Sequence, residues 1–265
     1  MFINKKRGQL AIFLIMVFVI FTAAAFIYSL NKEEAGSFAG TEIEKEIAID
    51  DINVRNFAES CVTKTAKEAL FYLGFIGGGL KPDAFELYYS YDDKYNVPYY
   101  YIDGENKIPS PYEEKFWTGL LDKYVNDNLQ KCTNNFEGFE GIKVDQGKVI
   151  SKTEFADDGV IFNVNFPVTI IRDSKANKLD PKYIDGIKVR LRDILKIVSV
   201  IVEQEVNNDK YIHWDYLTEV ADKNYNITAY TENDNTIVYR IIDLENKIDD
   251  EYYYFQWANK IKVTG

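Results

Sequence analysis

The chain has 265 residues, 46% of them hydrophobic, 28% charged and 15% aromatic, with a formal net charge of −11. That apolar content excludes a wholly disordered chain, and 6 Pro with 15 Gly exclude collagen-like and linker-dominated architectures. The roughly 235 residues that follow one long apolar run suffice for one large domain or two small ones.

That run is Gln9–Leu30, 22 residues without a formal charge. As a helix it measures about 33 Å, enough to cross a hydrocarbon core of about 30 Å with slight tilt. Lys5, Lys6 and Arg7 precede it, and Lys32, Glu33 and Glu34 follow. The basic cluster predicts a cytoplasmic amino terminus (residues 1–8), a transmembrane helix over 9–30 and an extracytoplasmic body. A cleaved secretory signal would use Ala23-Ala24-Ala25 as its cleavage site, but Phe26, Ile27 and Tyr28 continue the apolar run past it. A buried globular helix is seldom apolar on every face over such a length.

Lys5-Lys6-Arg7-Gly8-Gln9 followed by an apolar helix resembles the prepilin-like signals of archaeal type IV pilins. The resemblance implies cleavage between Gly8 and Gln9 with retention of the helix for assembly. The family often carries Glu five residues into the mature chain, where this sequence has Phe13. With Glu59-Ser60-Cys61 on an early helix, the whole chain also resembles uncharacterised membrane-anchored surface proteins of small-genome archaea, a group with no established activity.

Residues 31–51 are polar and predict a juxtamembrane linker. From Ile52 a helical period appears: Phe57, Cys61 and Leu73 share a stripe beside Ala58, Val62, Ala66 and Leu70. Asp50 or Asp51 can cap its start, and Gly77-Gly78-Gly79 ends it. Ala84–Tyr91 alternates as a strand, with Val97–Ile102 as its hairpin partner. Ser110-Pro111-Tyr112-Glu113 reads as a capping box with Pro at N1. It opens a helix whose apolar face is Trp117, Leu120, Leu121, Tyr124, Val125 and Leu129, ending near Cys132. Lys148–Phe155 and Val160–Arg172 flank the turn Asp157-Asp158-Gly159, and Pro167 points to an edge or bulge. Tyr183–Val189 predicts a strand, Leu191–Val206 a helix and Trp214–Ala221 a short helix. Asn226–Thr231 and Thr236–Leu244 form another hairpin, and Tyr252–Trp257 with Ile261–Val263 closes the chain. A helix–hairpin unit used twice and chance hairpin chemistry explain the Thr-Glu-turn similarity of the two hairpins about equally. Without strict βαβ alternation the body, 52–265, reads as α+β: helices packed on antiparallel hairpins, with possible subdomains 52–145 and 146–265.

Outside the first 30 residues the chain carries 28 basic and 42 acidic groups, a field that repels nucleic acid and anionic lipid. Its two cysteines, Cys61 and Cys132, fall on apolar faces of predicted helices; outside the cytoplasm a disulfide is favoured over two buried thiols. Two cysteines and one histidine supply too few ligands for a metal centre, and no cofactor motif is present. His213, at a predicted helix start, reads as a capping or surface residue. Gly141 through Gly147-Lys148 has the wrong spacing for a phosphate loop and Val149 where Ser or Thr is needed. The acidic pairs Asp92/Asp93, Asp157/Asp158 and Asp249/Asp250 read as solvated turns. Tyrosine runs at 88–101 and 252–254 offer core packing or a face for a partner protein or glycan. Asn226-Ile227-Thr228 is a glycosylation sequon. The functional expectation is a single-pass membrane-anchored surface protein, anchored in the bilayer through 9–30, with a structural or partner-binding role and no catalysis. A cell-envelope hydrolase using a carboxylate pair is the alternative.

Overall fold

A computed structural model describes residues 50–78, 88–92, 95–108, 113–173, 175–179, 182–208, 214–231 and 235–261. The chain divides into two units, Met1–Asn53 and Val54–Gly265; of the first, residues 50–53 are described and are helical. Among the described residues no helix is long and apolar enough to cross a membrane. The predicted span 9–30, the Gly8–Gln9 junction and most of the predicted linker lie outside the described residues.

Helix α1 runs over 50–75. Asp50 and Asp51 are already helical and therefore do not cap it; the apolar stripe marks where packing begins, not where the helical hydrogen bonds begin. Val54, Ala58, Cys61, Val62, Ala66, Leu70 and Leu73 are buried, the stripe that a 3.6-residue period predicts. Two left-handed glycines stop the helix, Gly77 at φ +53° and Gly78 at φ +75°. The Gly78 N–H bonds back to the Leu73 carbonyl at 3.0 Å, satisfying an orphan acceptor of the last turn.

Helix α2 spans Glu114–Thr133. It does not start at Pro111. Glu113 occupies the N-cap at ψ 65° and makes no side-chain cap hydrogen bond, so the carboxylate expected at N3 stands outside the helix. Its buried face is Trp117, Leu120, Leu121, Val125, Leu129 and Thr133, with Tyr124 packed against the core.

After α2 the chain makes a bent three-stranded meander. Strands β4 (Lys143–Gln146) and β5 (Ile150–Phe155) form its first leg, β6 (Val160–Asn165) and β7 (Val168–Arg172) its second, β8 (Lys175–Leu179) and β9 (Lys182–Ile187) its third. The pairings are β5–β6–β9 and β4–β7–β8, all antiparallel. The predicted single strand Val160–Arg172 is thus two strands in two sheets. Proline lacks the N–H a ladder needs, and the break falls at Phe166-Pro167. Gly147 opposite donates its N–H to the Pro167 carbonyl at 2.7 Å. Side-chain alternation survives the bend: Val160, Phe162, Val164, Phe166, Val168 and Ile170 are all buried.

Helices α3 (Leu191–Asn207) and α4 (Trp214–Asp222) follow, then β10 (Tyr225–Thr231), β11 (Thr236–Ile248) and β12 (Glu251–Lys260). The β11–β12 turn is the dipeptide Asp249-Asp250 with both φ positive, as a tight two-residue hairpin requires. Earlier strands complete the larger sheet: β1 (Tyr88–Asp92), β2 (Tyr95–Ile102) and the short β3 (Glu105–Asn106), in the order β1-β2-β12-β11-β10 with β3 on β2. The β12–β2 pair is parallel, so the sheet is not built from antiparallel hairpins alone. One core cluster joins α1, α2, α3 and both sheet systems. A smaller cluster of Val97, Tyr99, Val238 and Ala258 lies apart from it.

Candidate binding cleft

Cys61 on α1 and Cys132 on α2 are disulfide-bonded, their Cα atoms 5.6 Å apart. Two residues beyond Cys132 the chain turns left-handed: Asn134, Asn135 and Phe136 have φ of 43°, 53° and 57°. Asparagine tolerates this region; a bulky aromatic does so only under constraint. The constraint is packing. The Phe136 ring is buried and meets Phe57 at 5.5 Å edge-on, Phe139 at 5.8 Å and Phe166 at 6.5 Å. Phe57 lies one helical turn before Cys61, so the disulfide ties the helix that carries Phe57 to the end of α2, where the left-handed turn begins.

Polar groups hold the turn from its other side. Thr133, itself buried, points its hydroxyl at the Gln130 carbonyl (3.0 Å) and at Gln146 Oε1 (2.8 Å), sharing one hydrogen between them. Gln146 Nε2 donates to Asn135 Oδ1 at 3.1 Å, and Asn134 Nδ2 donates to Glu137 at 2.9 Å. Gln130 Nε2 donates to the Gly147 carbonyl at 3.1 Å. Between the turn and β4 lies a cleft of 570 Å³ lined by Gln130, Asn135, Phe139, Ile142 and Gln146, with Lys143 and Asp145 at its rim. Lys143 and Asp145 pair with each other at 2.8 Å. The cleft therefore offers amide groups and part of an aromatic ring, beside the matched Lys143–Asp145 pair and the Glu137 carboxylate.

Other polar clusters join elements of the fold. Arg190, at the N-cap of α3, pairs with the fully buried Asp243 of β11, stacks 4.0 Å over the Tyr225 ring and donates to the Lys223 carbonyl at 2.9 Å. Burial pushes the Asp243 carboxyl upward, but Arg190, Asn246 and the Glu245 N–H outweigh it and hold the group below the usual carboxylate range. Asp122 on α2 accepts from Ser151 Oγ at 2.9 Å and Thr153 Oγ1 at 2.7 Å, fastening the helix to β5. Burial raises its carboxyl against the pull of those hydroxyls. Glu205, near the end of α3, accepts from Tyr239 of β11 and Asn259 of β12. A second groove, 550 Å³, runs between α1 and the β11–β12 turn past Glu59, Ser60 and Lys64. Lys67 and Asp249 bridge it at 2.5 Å.

Of the residues singled out from sequence, Cys61 and Cys132 are brought together. Asn226 is exposed on β10, in a strand rather than a loop. Asp157/Asp158 and Asp249/Asp250 are exposed at hairpin turns. Gly141 and Gly147 bracket β4, so the stretch is a strand and not a phosphate loop. His213, Asp93 and Gly79 lie outside the described residues. Tyr99, Tyr100 and Tyr101 are all buried; Tyr100 and Tyr101 belong to the main core. The β12–β2 register shifts between Tyr99 and Tyr101, making Tyr100 the extra residue of a bulge. It points into the main core against Phe255 and Trp257, while Tyr99 joins the smaller cluster. Among the described residues no three His, Cys, Asp or Glu side chains are grouped to hold a metal ion. Sequence reading missed the cleft; its one local signal is Asn134-Asn135, two consecutive residues tolerant of left-handed backbone. The chain matches no family model, no curated protein and no solved structure.

Proposed function

We propose that the chain is a single-pass, membrane-anchored surface protein whose body has a structural or partner-binding role rather than a catalytic one. The observation that carries this reading is the Cys61–Cys132 disulfide, which consumes both cysteines of the chain and belongs to an oxidising compartment. The uncharged Gln9–Leu30 run and the basic residues before it agree with such a location. So does the acidic balance of the remaining chain, which suits a soluble head better than a nucleic-acid partner. The buried Asp243 and the part-buried Asp122 are engaged in joining helices to strands, and this favours a rigid scaffold over a hydrolytic carboxylate pair.

Mass spectrometry of the native, non-reduced protein, combined with proteolysis of intact cells, tests the reading. The expected result is a bonded Cys61–Cys132 pair and a body cleaved from outside. A mature chain starting at Gln9 would support the pilin-like form of the anchor; an intact Met1 or a start at Phe26 would remove it. A freely soluble intracellular protein with both thiols titratable overturns the whole proposal.

A further inference from the structure

We propose that the cleft beneath the left-handed turn at the end of α2 binds a neutral oligosaccharide. This deepens the partner-binding reading by naming the ligand class. At 570 Å³ the cleft falls within the roughly 300–1,000 Å³ of small-ligand sites. Half of its polar lining is carboxamides, Gln130, Asn135 and Gln146. A carboxamide both donates and accepts, which matches a sugar hydroxyl that does the same. Asn135 commits its carbonyl oxygen to Gln146 and keeps its amide hydrogens for a ligand; Gln130 commits an amide hydrogen to Gly147 and keeps its oxygen. The half-buried Phe139 and Ile142 supply a flat apolar wall for the C–H face of a pyranose.

Charge argues against anionic ligands. Lys143 is paired with Asp145, and an anion entering the cleft would also meet Glu137 on its wall. The donor geometry is set in advance, because the left-handed backbone at Asn134–Phe136 is held by the aromatic cluster and by Gln146. Groups ordered before binding lose little further entropy on binding, and strained backbone of this kind gathers at ligand clamps.

The test uses the full-length chain in mild detergent, titrated with chitobiose, mannobiose and lactose, and with sialyllactose and a heparin disaccharide as charged counterparts. Two variants accompany it. Asn135→Gly removes the carboxamide, and with it the bond from Gln146, but suits the left-handed φ and leaves the aromatic cluster to hold the turn; Phe139→Ala removes the apolar wall. The expected result is a dissociation constant below about 1 mM for at least one neutral disaccharide. Asn135→Gly should weaken it by about tenfold or more while the protein still melts cooperatively with an unchanged circular-dichroism spectrum, and Phe139→Ala should weaken it as well. The proposal is overturned if none of the three neutral sugars binds, if the charged sugars bind more tightly, or if both variants bind like the parent. Failure here is separable from failure of the surface role: an oxidised surface chain that ignores every probe sinks the site alone. A chain that binds sugar while carrying free thiols inside the cell upholds the site and sinks the location.

Discussion

Replacing both cysteines, as Cys61→Ala with Cys132→Ala, removes a cross-link between residues 71 apart in sequence. In the chain-entropy treatment a loop of that length raises the unfolded-state entropy enough to cost about 4 kcal/mol at 25 °C. Alanine is chosen because Cys61 is buried in a helix, where a serine hydroxyl would need a partner and alanine is the strongest helix former. For a folded body of this size each kcal/mol moves the melting temperature by about 2–4 °C, so the variant should melt about 8–16 °C below the parent. The assay is calorimetric or circular-dichroism melting of the full chain with and without dithiothreitol. The reductant should bring the parent down to the variant and leave the variant where it was. A double variant within about 1 kcal/mol of the parent, or one that still responds to the reductant, would refute the reasoning.

Two carboxylates should respond to acid in opposite senses. Asp243 has a lowered native pKa, so its contribution is complete above the unfolded value of about 3.9 and fades as pH falls through the native value. Asp243→Asn should cost about 1.5–3 kcal/mol at neutral pH by taking the buried carboxylate from Arg190, which keeps its pair with Glu245, and the gap to the parent should close in denaturant titrations below about pH 4. Asp122 has a raised native pKa, so ionising it works against the fold once pH rises above the unfolded value. Asp122→Asn, which can still accept from Ser151 and Thr153, should be as stable as the parent or more so at pH 7, with the difference vanishing in acid. Gly74→Ala should destabilise by about 1–3 kcal/mol despite the better helix propensity of alanine, because its Cβ would overlap the Tyr254 carbonyl; urea melts at 25 °C decide it.

What was legible from sequence follows from how each element is held. Helix α3 could be read because a wide apolar stripe does the holding, and Leu191 through Val202 is that stripe. The phase of β6 and β7 was readable for the same reason, since burial alternates through Pro167 even though the hydrogen bonding does not. Strand β8 was invisible: of Lys-Ala-Asn-Lys-Leu only Leu179 is buried, and the strand exists through its backbone pairing with β7. The parallel contact of β12 with β2 joins residues too distant for any local pattern to register. At Tyr99–Tyr101 local alternation was a poor guide, because a bulge at Tyr100 breaks the period of two and the tyrosines divide between two apolar clusters. In the cleft, Asn134 and Asn135 carry a left-handed signal, but Phe136 gives none; three phenyl rings from α1, the α2–β4 connection and the β6–β7 bend fix it there.

The placement of β12 between β11 and β2 has a consequence for biogenesis. Ribosomes release β2 long before β12, and the central position of the larger sheet stays vacant until Glu251–Lys260 emerges. Trp257 and Phe255, which fill the space against Tyr100 and Trp117, arrive with it. A polypeptide halted after β11 would hold α1 and α2 around a missing centre, with the β2 edge open to pairing with other chains. Closure of the larger sheet therefore waits on the synthesis of β12.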